Sequence, residues 1–284
     1  MASSNGLGSI QNDKAINKGR MARRLIGLAL GIWCCLLPVE AQVNGGCAGS
    51  PATSEMTLGV QAFKHANYAQ AVMHLRAAVA LDGVCTAARL FLGAAYLQQF
   101  IPGADSPDNL RMAASAREQF AAVLEKEPDN QSALASMASL SFNMNKLDEA
   151  VTWYKRLVEV NPGNKEAYYT LAVIAWTQAQ APISKARERS GMKPDDPGPV
   201  KPDAVREELR GKCLAQIQEG LDDIDRALEI DAEYDDAMAY ANLLWRLKAE
   251  LEESADAYQF DNDQANTWFQ RVIDTRKARA QREP

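Results

Sequence analysis

Four short strings punctuate this chain at related intervals: Leu81-Asp82-Gly83, Lys126-Glu127-Pro128, Val160-Asn161-Pro162 and Ile230-Asp231-Ala232. Each closes an apolar run with helical spacing, and each precedes a small or polar stretch that opens another. Pro128 and Pro162 are 34 residues apart, while the flanking intervals are 45 and 70 residues, so a 34-residue period recurs with two insertions. Such a period predicts one supersecondary unit stacked on copies of itself. Each unit reads as two amphipathic helices, with Pro or Gly stopping the second. A lone helix pair cannot bury its apolar face, so copies must stack. From Gln42 onward no run alternates with strand periodicity. The expected fold class is all-α.

Particular side chains recur in the same register. From Ala52 the first unit gives Leu58-Gly59, Tyr68, Ala71, Leu75 and Ala78, with Gly83 at the stop. The second gives Leu92-Gly93, Tyr96, Ala116, Phe120, Val123 and Pro128. The third, Gln131 to Asn164, needs no insertion and gives Met137-Ala138, Ala150, Tyr154, Leu157 and Pro162. The fourth gives Leu171-Ala172, Gly220, Ile224 and Ala227, and the fifth Ala241, Asn242, Trp245, Ala265, Phe269 and Val272. This pattern resembles the tetratricopeptide repeat (TPR) family from Ala52 to about Arg279. The fifth unit departs from it by placing Asn242 where a small residue is expected. The resemblance implies a right-handed TPR superhelix, an α-solenoid of five helix-turn-helix repeats with helical insertions, preceded by a signal peptide. The expected repeats span about 52–85, 86–130, 131–164, 165–234 and 235–279 of an array covering 52–279, with 280–284 a frayed tail.

Both insertions are expected between the two helices of a unit. The first, Phe100 to Asn109, reads as a loop with Pro102, Gly103 and Pro107. The second runs from Pro182 to about Glu219. Its polar, Pro-rich opening predicts a mobile segment, followed by a long helix with Asp203 as N-cap and Glu207 and Glu208 in its first turn. Val205, Leu209, Cys213, Ile217, Leu221, Ile224 and Leu228 form its apolar stripe. Ala237 to about Tyr258 reads as a lengthened first helix of unit five, and Asp261-Asn262-Asp263-Gln264 as the capping box of the last helix. The C-terminal half should then carry protruding helical arms.

Residues 1–41 read as a leader and signal peptide. Arg23-Arg24 precede an uncharged run from Leu25 to Leu37, which is shorter than the roughly 20 residues of a spanning helix and suits a secretory signal. Val39-Glu40-Ala41 places small residues for cleavage before Gln42. Met1 or Met21 as the start, and the general or the twin-arginine export route, remain open alternatives. Residues 42–51 read as a flexible linker. The localisation expected is export, to a periplasm first and the extracellular space second.

Charge and composition narrow the chemistry. The chain carries −6 at neutral pH. The leader holds five basic residues (Lys14, Lys18, Arg20, Arg23, Arg24) and two acidic ones (Asp13, Glu40), so the chain from Gln42 carries −9. That opposes nucleic-acid binding, which needs a basic face, and association with anionic lipid; no stable membrane insertion is expected after signal cleavage. Two histidines, His65 and His74, lie nine residues apart on different helices without ligand spacing. No nucleophile motif, phosphate loop or calcium loop stands out, so the expectation is no enzyme, no cofactor, no catalytic residue and no metal. Cys47 and Cys85 fall at neighbouring ends of one helical hairpin, making a disulfide possible after export. Cys213 is expected as a core residue.

In TPR proteins the first helices of successive repeats line a concave groove. Carried onto this sequence, the groove-facing positions are Met56, Phe63, Lys64, Leu90, Leu97, Gln98, Phe142, Asn143, Tyr169, Trp176, Thr177 and Arg246. Aromatic side chains there suit a peptide partner; filling of the groove by an insertion is the alternative. The positions that clamp a terminal carboxylate in some family members hold Met56, Val60, Leu90, Ala94, Ala135, Ser139, Tyr169 and Val173, so no charge clamp is expected. The resemblance implies an exported interaction scaffold or adaptor in envelope complex assembly, holding a protein or peptide. A self-associating structural subunit is the alternative, its cue being Met56 and Val60 on the first helix; an enzyme accessory is a third.

Overall fold

The structure, a computed structural model, describes residues 51–193 and 196–282. All lie in the larger of two units, Asn44–Pro284. The signal-peptide reading, Cys47 and nearly all of the linker fall outside the described residues.

Ten helices and no strand occur among the described residues. In chain order they are α1 (Ala52–Lys64), α2 (Tyr68–Leu81), α3 (Thr86–Leu97), α4 (Pro107–Lys126), α5 (Gln131–Asn143), α6 (Leu147–Val160), α7 (Lys165–Arg189), α8 (Asp203–Ile230), α9 (Asp235–Ala249) and α10 (Ala255–Arg282). They pair as α1/α2, α3/α4, α5/α6, α7/α8 and α9/α10, each pair packing on the next. This is the five-unit α-solenoid that the period predicts.

Local chemistry sets the helix starts. Asn67, Asn130 and Asn164 each accept the backbone N–H three residues on, satisfying a donor that the first helical turn leaves open. Ser106 does the same for α4, with Pro107 at the first helical position. The loop before α4 is held from inside: buried Asn109 accepts the Ile101 N–H at 2.7 Å and donates to the Ile101 and Ala104 carbonyls at 2.8 and 2.7 Å.

In units one and two the second helix packs on a glycine of the first. Gly59 lies against Leu75 and Gly93 against the Phe120 ring, at distances that leave no room for a Cβ. Full burial of a side chain such as Phe120 is worth about 1.5–3 kcal/mol, and the glycine lets its ring reach that depth. Asn242, where the pattern wants a small residue, is buried and donates to the Ala265 carbonyl of α10. A polar group is tolerated there because its hydrogen bond is made.

Several expectations about the C-terminal half are corrected. The insertion does not leave the helix at Pro182: α7 runs through it to Arg189. An internal proline costs about 3 kcal/mol, but Ile183 and Ala186 beyond it are buried in one apolar cluster with Leu209, Cys213, Val200 and Leu251. The lengthened parts of α7 and α8 are therefore packed against the end of α9 rather than standing free as arms. Pro202 precedes α8 as its cap residue; Asp203 is its first helical residue and binds Arg206 Nη1 at 2.7 Å instead of capping.

The described residues between α7 and α8, 190–193 and 196–202, are tied down. Buried Arg187 donates to the carbonyls of Lys193, Asp196 and Gly198 at 3.1, 2.7 and 3.1 Å and pairs with Glu250. The Val200 N–H donates to the Glu250 carbonyl at 2.9 Å, and Val200 is fully buried. Composition predicts mobility here, whereas one guanidinium fork supplies the loop's missing hydrogen-bond donors.

In unit five the extra length belongs to the second helix, not the first. α9 stops at Ala249, and Ser254 caps α10 by accepting the Ala257 N–H at 3.1 Å. The Asp261–Gln264 string lies inside α10 and is no capping box: Asp261 is buried against Lys248 of α9 at 2.8 Å. Residues 280–282, expected as part of a frayed tail, are helical, with Arg279 and Arg282 bridging to Asp235 and Glu233. Met56 and Val60, the cue for self-association, are buried in the core at 0% and 6% exposure.

Candidate partner-binding groove

The expected groove residues divide into three groups. Met56 and Leu97 are buried in the core; Met56 Sδ lies 3.8 Å from Cys85 Sγ. Lys64, Thr177 and Arg246 are exposed. Phe63, Leu90, Gln98, Phe142, Asn143, Tyr169 and Trp176 are partly buried. Some polar groups are already engaged: the Thr177 hydroxyl donates to the Val173 carbonyl at 2.7 Å, and Arg246 reaches Asn266 of α10 at 3.1 Å.

The aromatic residues form two separate clusters. At the N-terminal end Phe63 stands edge-on to Tyr68 and Phe91, with centroids 5.5 and 5.9 Å away. The larger cluster spans α7 and α9. Tyr240 stands perpendicular to both Tyr169 and Trp176, at 5.4 and 5.8 Å, and Tyr234 leans on Tyr169 at 5.3 Å. Edge-to-face geometry of this kind contributes roughly 0.5–1.5 kcal/mol per pair beyond burial. It fixes Tyr169 and Trp176 as rigid platforms, part of whose surface remains open to solvent. Phe142 of α5 packs partly on the clusters of buried residues on both sides of it.

Electrostatics keep this surface neutral but polar-tipped. Burial first, then neighbouring Tyr240 and Asp236, push the Tyr169 phenol far above its usual range. Burial likewise raises Tyr240 and Tyr234. The hydroxyls therefore stay protonated, each able to donate and accept. Burial and adjacent Asp235 raise Asp236 as well. At the edge, Lys165 lies 5.1 Å over the Tyr234 ring and 2.7 Å from Asp231, whose hydrogen bond raises the lysine.

Sequence reasoning finds Tyr169 and Trp176 but misses Tyr234, Tyr240 and Asp236. Tyr240 stands one place beyond a groove position of its own unit, and Tyr234 sits in the turn between units. A readable signal is the density of aromatics on consecutive first helices, which the stacking of α7 on α9 brings opposite each other.

His74 Nδ1 lies 2.8 Å from Glu55 and joins the helices of the first unit; His65 is exposed at the end of α1. Among the described residues no group of three or more His, Cys, Asp or Glu could hold a metal ion, and no helix is long and apolar enough to cross a membrane. Cys85 is disulfide-bonded and buried; Cys47, the partner expected for it, lies outside the described residues. Cys213 is a free, buried thiol, raised by burial.

The sequence model of the tetratricopeptide repeat matches residues 111–180. No curated protein matches the chain significantly. Among solved structures, the crystal structure of MamA protein superimposes with a TM-score of 0.56 at 13% identity, over 82% of this chain and 96% of that one. A MamA structure from Desulfovibrio magneticus RS-1 gives 0.53 at 13% identity, over 80% and 96%. YrrB, described as a TPR protein with an unusual peptide-binding site, gives 0.51 at 15% identity, over 79% and 86%. At these identities the likeness speaks for the fold.

Proposed function

We propose that this tetratricopeptide-repeat protein is an exported interaction scaffold that holds an extended or helical peptide segment of a partner against the first helices of its repeats. The observation that carries the reading is the α7/α9 aromatic cluster. Tyr169 and Trp176 are locked edge-to-face around buried Tyr240 yet remain partly open. Rigid aromatics bind at low entropic cost, and their hydroxyl and indole groups add hydrogen bonds. Phe142, one unit away, extends the platform toward the N-terminus. The peptide-binding site in YrrB's description gives precedent for such use of the fold. No residue in the groove has a catalytic arrangement, so the activity proposed is binding alone.

Export rests on the short apolar run behind Arg23-Arg24 and on the small residues before Gln42. An assembly role in the cell envelope follows from pairing export with a scaffold fold.

One experiment tests both halves. A photo-crosslinking amino acid is placed at Thr177 or Lys64, exposed groove positions, or at Glu208 on α8, and the full-length gene is expressed in its own host. The reading expects one partner to be captured from Thr177 and Lys64 but not from Glu208, on a chain whose mass begins at Gln42. Capture from Glu208 alone, or only of further copies of this chain, overturns the groove. A chain retained intact in the cytosol overturns export.

A further inference from the structure

A cleft of about 320 Å³ opens between the second helices of units three and four, away from the aromatic cluster. Val151, Leu171 and Ala175 give it apolar walls, and Gly220 lets α8 approach α7 there: a Cβ at Gly220 would stand 2.9 Å from that of Ala175. Polar groups ring the rest. Lys155 of α6 pairs with Glu219 of α8 at 3.1 Å, and Gln178 of α7 donates to Asp148 of α6 at 2.8 Å. Gln216 of α8 donates in turn to Gln178.

Asp223 is the odd member. It lines the same cleft, half-buried, yet no hydrogen bond or ion pair reaches its carboxylate among the described residues. The other charged lining groups are Asp148 and Lys155 on α6 and Glu219 on α8, with Asp222 adjoining on α8; among its lining residues α7 contributes no charge and one polar group, the Gln178 amide, and α9 only Leu244 beneath Gly220. Three lining carboxylates thus face one ammonium, already paired. A half-buried carboxylate without a partner is costly, and the missing complement is a cation. An apolar wall beside that carboxylate suits a cation carried on an alkyl stem.

We propose that this cleft binds a primary alkylammonium group, its stem along Val151, Leu171 and Ala175 and its ammonium on Asp223. The site stands apart from the peptide groove and extends the scaffold reading to a second ligand. Burial holds the Asp223 carboxyl near a pKa of about 7 in the free protein, so a bound cation expels a proton at neutral pH. A free diamine and a lysine side chain of a partner both carry such an ammonium.

Calorimetric titration of the full chain with 1,5-diaminopentane, Nα-acetyl-lysine amide and pentan-1-ol decides the matter. Saturable binding of at least one amine at pH 8 is expected, with none of the alcohol. The tighter amine identifies the source. Affinity should fall about tenfold between pH 8 and pH 6 as Asp223 takes up its proton, and the heat at pH 7 should depend on the ionisation enthalpy of the buffer. Asp223→Asn should abolish binding, whereas Lys155→Gln, which removes the resident ammonium, should strengthen it. No saturable binding of either amine at pH 8, or equal binding by folded Asp223→Asn, overturns the site. Loss of groove crosslinks with intact amine binding would fail the peptide reading alone.

Discussion

Gly93 lies beneath the ring of Phe120, so close that a methyl group at its Cβ position would stand 2.6 Å from a ring carbon. The ring is fully buried and cannot swing aside. Gly93→Ala should therefore destabilise the protein by about 1–3 kcal/mol, the usual cost of overpacking a filled core. Gly83→Ala is the control, because its nearest neighbours lie at 3.8 Å, an ordinary contact. Urea unfolding followed by helical circular dichroism separates them. Equal midpoints for the two variants would mean that the close approach does not govern unit two.

The Arg187 clasp predicts a local effect. Removing the guanidinium with Arg187→Ala leaves Glu250 half-buried without its partner and frees three loop carbonyls. Breaking a buried charge pair costs about 3 kcal/mol. The expected signature is faster hydrogen exchange at the Val200 amide, which donates to the Glu250 carbonyl, and protease cleavage between α7 and α8. Unchanged protection at Val200 would show that packing alone holds the segment.

Asp223 sets a pH dependence with a definite sign. Its folded pKa of about 7 lies above the ordinary value of 3.8. Between those values the folded state binds more protons than the unfolded state, so this group's contribution to stability grows as pH falls from 8 toward 4. Asp223→Asn removes the penalty and should be more stable than wild type at pH 8, with the gap narrowing through pH 5 and closing only below about pH 4. Urea midpoints across that range measure it. A gap independent of pH would contradict the proton linkage, with or without any ligand in the cleft.

The parts of this fold that the sequence reveals are those fixed by neighbours along the chain. Helix stops at Gly83, Pro128 and Pro162 and the small residues at Gly59 and Gly93 act within one turn or one hairpin, and the 34-residue period multiplies each signal. The aromatic groove is half legible for the same reason: Tyr169 and Trp176 occupy recurring positions, whereas Tyr240 matters because α9 stacks on α7.

What only tertiary structure decided is the partner of each polar or helix-breaking residue in the C-terminal half. Asp261-Asn262-Asp263-Gln264 has the composition of a capping box, but Lys248 across the α9/α10 interface offers Asp261 a buried ion pair instead. Pro182 looks like a helix end, yet the burial of Ile183 carries α7 past it. The polar segment that follows looks free until Arg187 gathers its carbonyls. The sequence by itself determined the repeated unit, because backbone hydrogen bonding and helical periodicity are short-ranged. The tertiary structure decided where the irregular helices stop and which charges are paired, because burial and charge pairing depend on other elements of the fold, as the Arg187–Glu250 pair shows by spanning 63 residues.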